Sequence, residues 1–141
     1  LREAAHAGMP CIAECGGFMY LTEKIGGFPM AGALKGACFD TGKLTRFGYV
    51  TLTAQKDNLL CRAGEQIPAH EFHHWDAEHP GEDFRAEKPS GRSWPCTHAS
   101  RTLYAGFPHF HFYANPSFAV RFLDACRKES CHAGTNKAHG D

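Results

Sequence analysis

The strongest constraint in this 141-residue chain is a short apolar run that ends on a cysteine followed by two glycines. Met9, Pro10, Cys11, Ile12 and Ala13 are bounded by Gly8 on one side and by Glu14-Cys15-Gly16-Gly17 on the other. A run this short between glycines suits a buried parallel strand. Residues 1–7 are helix formers, with Gly8 as a natural C-cap. Beyond the glycines, Phe18, Leu21 and Ile25 recur at helical spacing up to Gly26-Gly27. Helix, strand, sharp turn and helix make an α/β unit. A cysteine at that turn has the setting of a nucleophile elbow. It projects from a tight bend, and the glycines let chain and substrate approach closely. The Gly16 N–H is a candidate oxyanion donor, and the amino end of the following helix favours a negatively charged sulfur.

From residue 28 to about 101 the pattern turns to antiparallel β. Phe47-Gly48-Tyr49-Val50-Thr51-Leu52-Thr53 alternates. Lys56-Asp57-Asn58 is a turn candidate and residues 59–61 a candidate return strand. Residues 80–92, polar and rich in Pro and Gly, read as an exposed loop or irregular hairpin. Residues 101–112 read as a last strand and loop. Asn115-Pro116 then opens a helix with Phe118, Ala119, Phe122, Leu123 and Cys126 on one face. Residues 128–141 read as a loose, disordered tail. The length suffices for one core.

Composition narrows the function classes. Fifteen Lys+Arg balance fifteen Asp+Glu, which argues against nucleic acid held by phosphate contacts and against a polybasic membrane anchor. The longest apolar run is four residues, Phe18 to Leu21, whereas a membrane helix needs about 20. No signal peptide opens the chain, and its start at Leu1 within a helical stretch suggests that it is cut from something longer. Seven Cys, an odd number without C-x-x-C spacing, point to a reducing cytoplasm and mostly buried thiols.

A thiol nucleophile needs a base. His109 and His111, in Pro108-His109-Phe110-His111-Phe112, would share one face of a strand, and such a His can meet a distant Cys in space. A rival constellation is His70-Glu71-Phe72-His73-His74, which matches H-E-x-x-H. On a helix His70 and His74 could bind zinc with Glu71 as general base. The alternative is a β-strand with Phe72 and His74 facing one way and His73 and Trp75 the other. Cys126, Cys131, His132 and His139 fit no zinc module, and no phosphate loop is present.

The segment Ala13-Glu14-Cys15-Gly16-Gly17-Phe18-Met19-Tyr20-Leu21 resembles the nucleophile segment of the glutamine amidotransferase domain of cobyrinate a,c-diamide synthases. Phe28-Pro29-Met30-Ala31-Gly32, Arg46-Phe47-Gly48-Tyr49-Val50, His70-Glu71-Phe72-His73-His74 and the stretch from Ala105 to Phe112 with Ala114-Asn115-Pro116 agree with that family in order and spacing. The resemblance covers residues 1–127.

The resemblance implies an α/β, three-layer, flavodoxin-like class I amidotransferase domain, partial here, with a central mixed sheet. It implies Cys15 as the glutamine-attacking nucleophile and His109 as its base, with His111 the second choice. His111 occupies the place where other class I amidotransferases have a Glu, so a Cys–His dyad is expected rather than a triad. It implies glutamine as substrate and a thioester intermediate. It also implies a separate synthetase domain, absent from this sequence, that uses ATP and Mg²⁺ to amidate a corrin-type acid. No cofactor and no metal are expected in this chain, and neither nucleic acid nor membrane as partner. Missing upstream strands and Pro108 are departures from the family pattern, so a catalytically incompetent fragment or interaction module is the alternative; the zinc hydrolase ranks below it.

Overall fold

The computed structural model describes residues 1–135, of which 131–135 by backbone alone. Helix α1 (Arg2–His6) ends before Gly8, whose φ of 90° suits glycine alone. Strand β1 (Cys11–Glu14) leads into helix α2 (Gly16–Leu21). Strands β2 (Lys24–Ile25), β3 (Phe28–Pro29) and β4 (Ala37–Asp40) follow. The long hairpin of β5 (Arg46–Ala54) and β6 (Gln66–His73) dominates the middle. Then come β7 (Trp75–Ala77), β8 (Phe84–Glu87), β9 (Ser93–Cys96), β10 (His98–Ala99), β11 (Leu103–Gly106) and β12 (His109–Phe110). A 3-10 turn (Phe112–Ala114) leads to helix α3 (Pro116–Thr135).

Three sheets form. One is mixed, with β1 parallel to β11 and β10 antiparallel to β11. The second, in order β12-β6-β5-β8-β9, is antiparallel throughout. The third runs β3-β2-β4-β7. The α/β class with mixed sheet and an antiparallel middle region is therefore the observed architecture.

Alternation explains the long hairpin. Along β5, Val50, Leu52 and Ala54 turn inward; along β6, Ile67 and Ala69 do the same, with Leu52 opposite Ile67 and Val50 opposite Ala69. These residues, with Phe84, Tyr104 and Phe118, form one apolar cluster, onto which Phe122 and Ala125 of α3 pack. A second cluster joins Ala13, Phe18, Leu21, Cys38, Ala105 and Phe107. It lies between the β1–β11 pair and α2.

Several expectations are corrected. The helix after the glycines stops at Leu21, because Thr22 leaves helical geometry and its hydroxyl donates to the Met19 carbonyl at 2.7 Å. Ile25 then belongs to a strand. Residues 59–61 are not the return strand. The Asn58 side-chain oxygen accepts the N–H groups of Leu60 and Cys61, so this apolar triplet turns and plugs the core while β6 makes the return. Residues 80–92 are not an exposed loop; the hairpin alternative holds, since they carry β8 and the turn to β9, with Phe84 and Ala86 fully buried in an alternation only two apolar residues long. Leu123 lies on the exposed side of α3. That helix continues through Thr135, past the expected end at 127, and residues 136–141 of the expected tail lie outside the described residues.

Candidate active site

Cys15 is one of two described non-glycine residues with positive φ; it has φ 49° and ψ −110°. L-residues avoid that region, and the cost is of order 1–3 kcal/mol. The bend is held by its neighbours. The Cys15 N–H donates to the Gly106 carbonyl at 2.8 Å, extending the β1–β11 ladder by one bond, and its own carbonyl accepts from Met19 in α2. Strand geometry before the residue and helix geometry after it leave Cys15 to absorb the reversal. A side chain at Gly16 would meet nothing within 4 Å, so the approach to the bend is open. The Gly16 N–H is the first of α2 and has no intrahelical acceptor by position.

Gly106 itself sits under close constraint. A Cβ there would lie 2.5 Å from the Thr97 hydroxyl oxygen. Thr97, fully buried and at φ 66°, crosses over β11 at this point.

His109 begins β12, which pairs with β6 so that His109 stands opposite His70. Its Nδ1 lies 3.3 Å from Glu14 Oε2, and the Phe110 N–H donates to Glu14 Oε1 at 3.1 Å. Glu14 is the residue directly before Cys15. The base candidate is thus tied to the nucleophile's own strand across 95 positions of sequence. Sequence reasoning missed Glu14. Its only signal was a carboxylate beside the elbow, and nothing local says that a strand from the far end of the chain will meet it.

His111 is set apart from this arrangement. The strand ends at Phe110, and the His111 ring stacks on Tyr113 at 5.3 Å. His111 lies one residue past β12 in extended backbone, exposed like His109 with Phe110 half-buried between them, and the 3-10 helix starts only at Phe112.

The segment 70–74 is a strand and its end, not a helix. Phe72 and His74 are exposed while His73 is buried and Trp75 half-buried, as the strand alternative required. Residues four apart on a strand are separated by about 13 Å, so the helical zinc face of His70 and His74 is not made. Among the described residues, no three His, Cys, Asp or Glu side chains converge on a metal position.

What the segment does instead is support the His109 turn. The His73 ring stacks flat on Phe107 at 4.1 Å, and Phe107 meets Phe18 of α2 edge-on at 5.1 Å. The chain from Phe107 through Pro108 to His109 is therefore clamped between the helix after the nucleophile and the strand β6. His73 donates through Nδ1 to the Trp75 carbonyl at 2.7 Å, given the tautomer this contact requires. Its Nε2 and Glu71 Oε2 have no hydrogen-bond partner, and Nε2 stands 4.0 Å from the other Glu71 oxygen, Oε1. Burial pushes the Glu71 carboxyl up, partly offset by Arg46. Burial likewise pushes His73 down. Both shifts work against the charged forms of this pair.

Burial works against the thiolate at four of the other cysteines. Burial pushes Cys96 up to about 12 and Cys61 up to about 11, and raises Cys11 and Cys38 as well. Thiolate, the reactive form, is suppressed at all four.

Comparison with known proteins now decides the family. Residues 1–117 match the CobB/CobQ-like glutamine amidotransferase domain. The chain belongs to this family. It is 35% identical over 134 residues to a cobyrinate a,c-diamide synthase of Caldanaerobacter subterraneus, which covers 89% of this chain and 30% of that protein. It is 36% identical over 128 residues to a cobyrinate a,c-diamide synthase of Fusobacterium nucleatum, with 84% and 28% covered. A hydrogenobyrinate a,c-diamide synthase of Streptomyces coelicolor is 34% identical over 130 residues, with 89% and 26% covered. The chain therefore spans under a third of the length of these relatives. In this amidotransferase domain the elbow cysteine, Cys15, follows the carboxyl end of β1.

Proposed function

We propose that this amidotransferase domain hydrolyses glutamine and supplies ammonia to a cobyrinate-type a,c-diamide synthase of cobalamin biosynthesis. The observation that carries the reading is the strained Cys15 bend with His109 bonded to the residue beside it. His109 takes the Cys15 proton, and the thiolate attacks the side-chain amide carbon of glutamine. The Gly16 N–H stabilises the oxyanion of the tetrahedral intermediate. His109 gives its proton to the departing ammonia, and water activated by the same imidazole releases glutamate from the thioester. On this reading ammonia passes to a separate ATP- and Mg²⁺-dependent synthetase domain that amidates a corrin-type acid. The relatives named for cobyrinate and for hydrogenobyrinate support that acceptor class.

The test is a Cys15→Ser substitution in the complete enzyme. Glutamine-dependent amidation falls by about 10³-fold or more, by analogy with other single-nucleophile losses. Amidation from added ammonia persists. Loss of both activities, or survival of the glutamine-dependent one, contradicts the proposal.

A further inference from the structure

We propose that Glu14 is a positioning residue that completes a Cys15–His109–Glu14 relay, fixing which imidazole nitrogen of His109 carries its proton. The inference rests on the amidotransferase reading and deepens it. It replaces the expected dyad by a triad whose acid comes from the strand of the nucleophile, not from the place two residues after the base, where His111 stands.

The argument is one of donors and acceptors. An ionised carboxylate accepts only. Glu14 has two oxygens and two partners on adjacent residues of β12, the Phe110 N–H on Oε1 and His109 Nδ1 on Oε2. Nδ1 must then hold the proton and donate it. The remaining nitrogen, Nε2, is left unprotonated in the neutral ring, which is the state a base needs to take the proton of Cys15. During that step the proton on Nδ1 stays where it is. The imidazolium formed when Nε2 gains the thiol proton is stabilised by the adjacent carboxylate. This is the division of labour in Ser-His-Asp sites, where the acid orients the base without being protonated itself.

The geometry is two-point. A single contact would let the ring swing, since His109 is nearly half exposed along its side chain. Bonding the Phe110 N–H with the other oxygen pins the backbone that carries the ring. The same fork ties the mixed sheet, through β1, to the antiparallel sheet, through β12. Pro108 cannot donate at the preceding position, so this fork and the Phe107 stack are what set the entry of the chain into β12.

Glu14→Gln is the informative variant because it keeps the shape and removes one acceptor. Its single oxygen can serve the Phe110 N–H or His109, not both. With the oxygen on the backbone, the amide NH₂ faces Nδ1, and the ring proton must move to Nε2. We expect ¹⁵N-resolved imidazole spectra of the wild-type chain, above the titration of the ring, to show His109 protonated on Nδ1. In Glu14→Gln the Nε2-protonated form gains population. The rate of Cys15 alkylation by the glutamine analogue 6-diazo-5-oxo-norleucine falls about 10²-fold, less than the roughly 10⁴-fold of a fully buried triad acid because this site is partly solvated. Adding Glu14→Gln to His109→Ala slows alkylation no further, since the two act as a unit.

The inference is overturned if Glu14→Gln leaves both the tautomer and the alkylation rate within twofold of wild type, or if its effect persists undiminished without His109. The imidazole spectra need no glutamine chemistry. A wild-type tautomer lost in Glu14→Gln, together with a Cys15 no more reactive than Cys126, upholds the positioning role and rejects the amidotransferase reading. Reactive Cys15 with an unresponsive His109 does the reverse.

Discussion

At the scale of single residues, β6 carries two ionisable groups where its alternation calls for apolar ones. Ile67 and Ala69 are followed on the same inner face by Glu71 and His73, 2% and 7% exposed. Burial without full hydrogen bonding disfavours the charged form of each. The stability consequence of Glu71 has a definite sign. Its folded-state carboxyl titrates above the unfolded value of about 4.5, so the native state holds the proton longer and stability is lost as pH rises through that interval. His73, lowered in the fold, acts oppositely, losing stability as pH falls below about 6.5. Removing the Glu71 charge isolates its part. In thermal melts from pH 4.5 to 8, Glu71→Gln should gain on wild type progressively as pH rises; a constant difference would show that Glu71 ionises as easily folded as unfolded. These residues drew attention in the sequence as a zinc motif. The motif leaves the period open, because H-E-F-H fits a helix face and a strand equally until its neighbours are paired, and the strand removes the zinc reading.

At the scale of elements, the elbow depends on the crossing of β11 beneath the β9–β10 connection. Gly106 offers its carbonyl to Cys15 and its bare Cα to Thr97. An alanine there places its Cβ 3.1 Å from the Thr97 Cα and 2.5 Å from its hydroxyl oxygen, so backbone must move. Gly106→Ala should cost about 2–4 kcal/mol in urea unfolding, in the range of overpacked cores. Gly16→Ala is the contrast, since its Cβ meets nothing, and should leave stability within about 0.5 kcal/mol. Equal losses would mean that the crossing does not govern the elbow. The local signals were adequate for β1, for α1 and for the start of α3 at Asn115-Pro116, where capping chemistry is short-range. They were inadequate for β6 and β8. Leu59-Leu60-Cys61 looked like a strand because apolar triplets do, and only the Asn58 side chain, bonding two N–H groups ahead, turns them inward. Phe84 and Ala86 were masked by the charged residues that alternate with them.

At the scale of the whole molecule, the two apolar clusters meet at the site. Tyr104 of β11 belongs to the cluster of the long hairpin and α3, while its neighbour Ala105 belongs to that of α2. Phe110 packs edge-on against both Tyr104 and Phe118, so β12 is fixed by the first cluster and its entry by Phe107 of the second. Cys15 and His109 are thus held by different halves of one core, and the contact of His109 with Glu14, the residue before Cys15, is a property of the fold. That is why motifs could name both residues while the bond that joins them, from Glu14 to His109, could not be read from either. No helix among the described residues is long and apolar enough to cross a membrane.

The central claim is that Cys15 is a nucleophile made reactive by His109. Labelling the chain with 6-diazo-5-oxo-norleucine and mapping the modified peptide by mass spectrometry, beside a His109→Ala control, tests it most directly. Modification confined to Cys15, and falling by at least about tenfold in the control, is the result this account predicts. Labelling spread over Cys15 and the other six cysteines, or undiminished without His109, would contradict it.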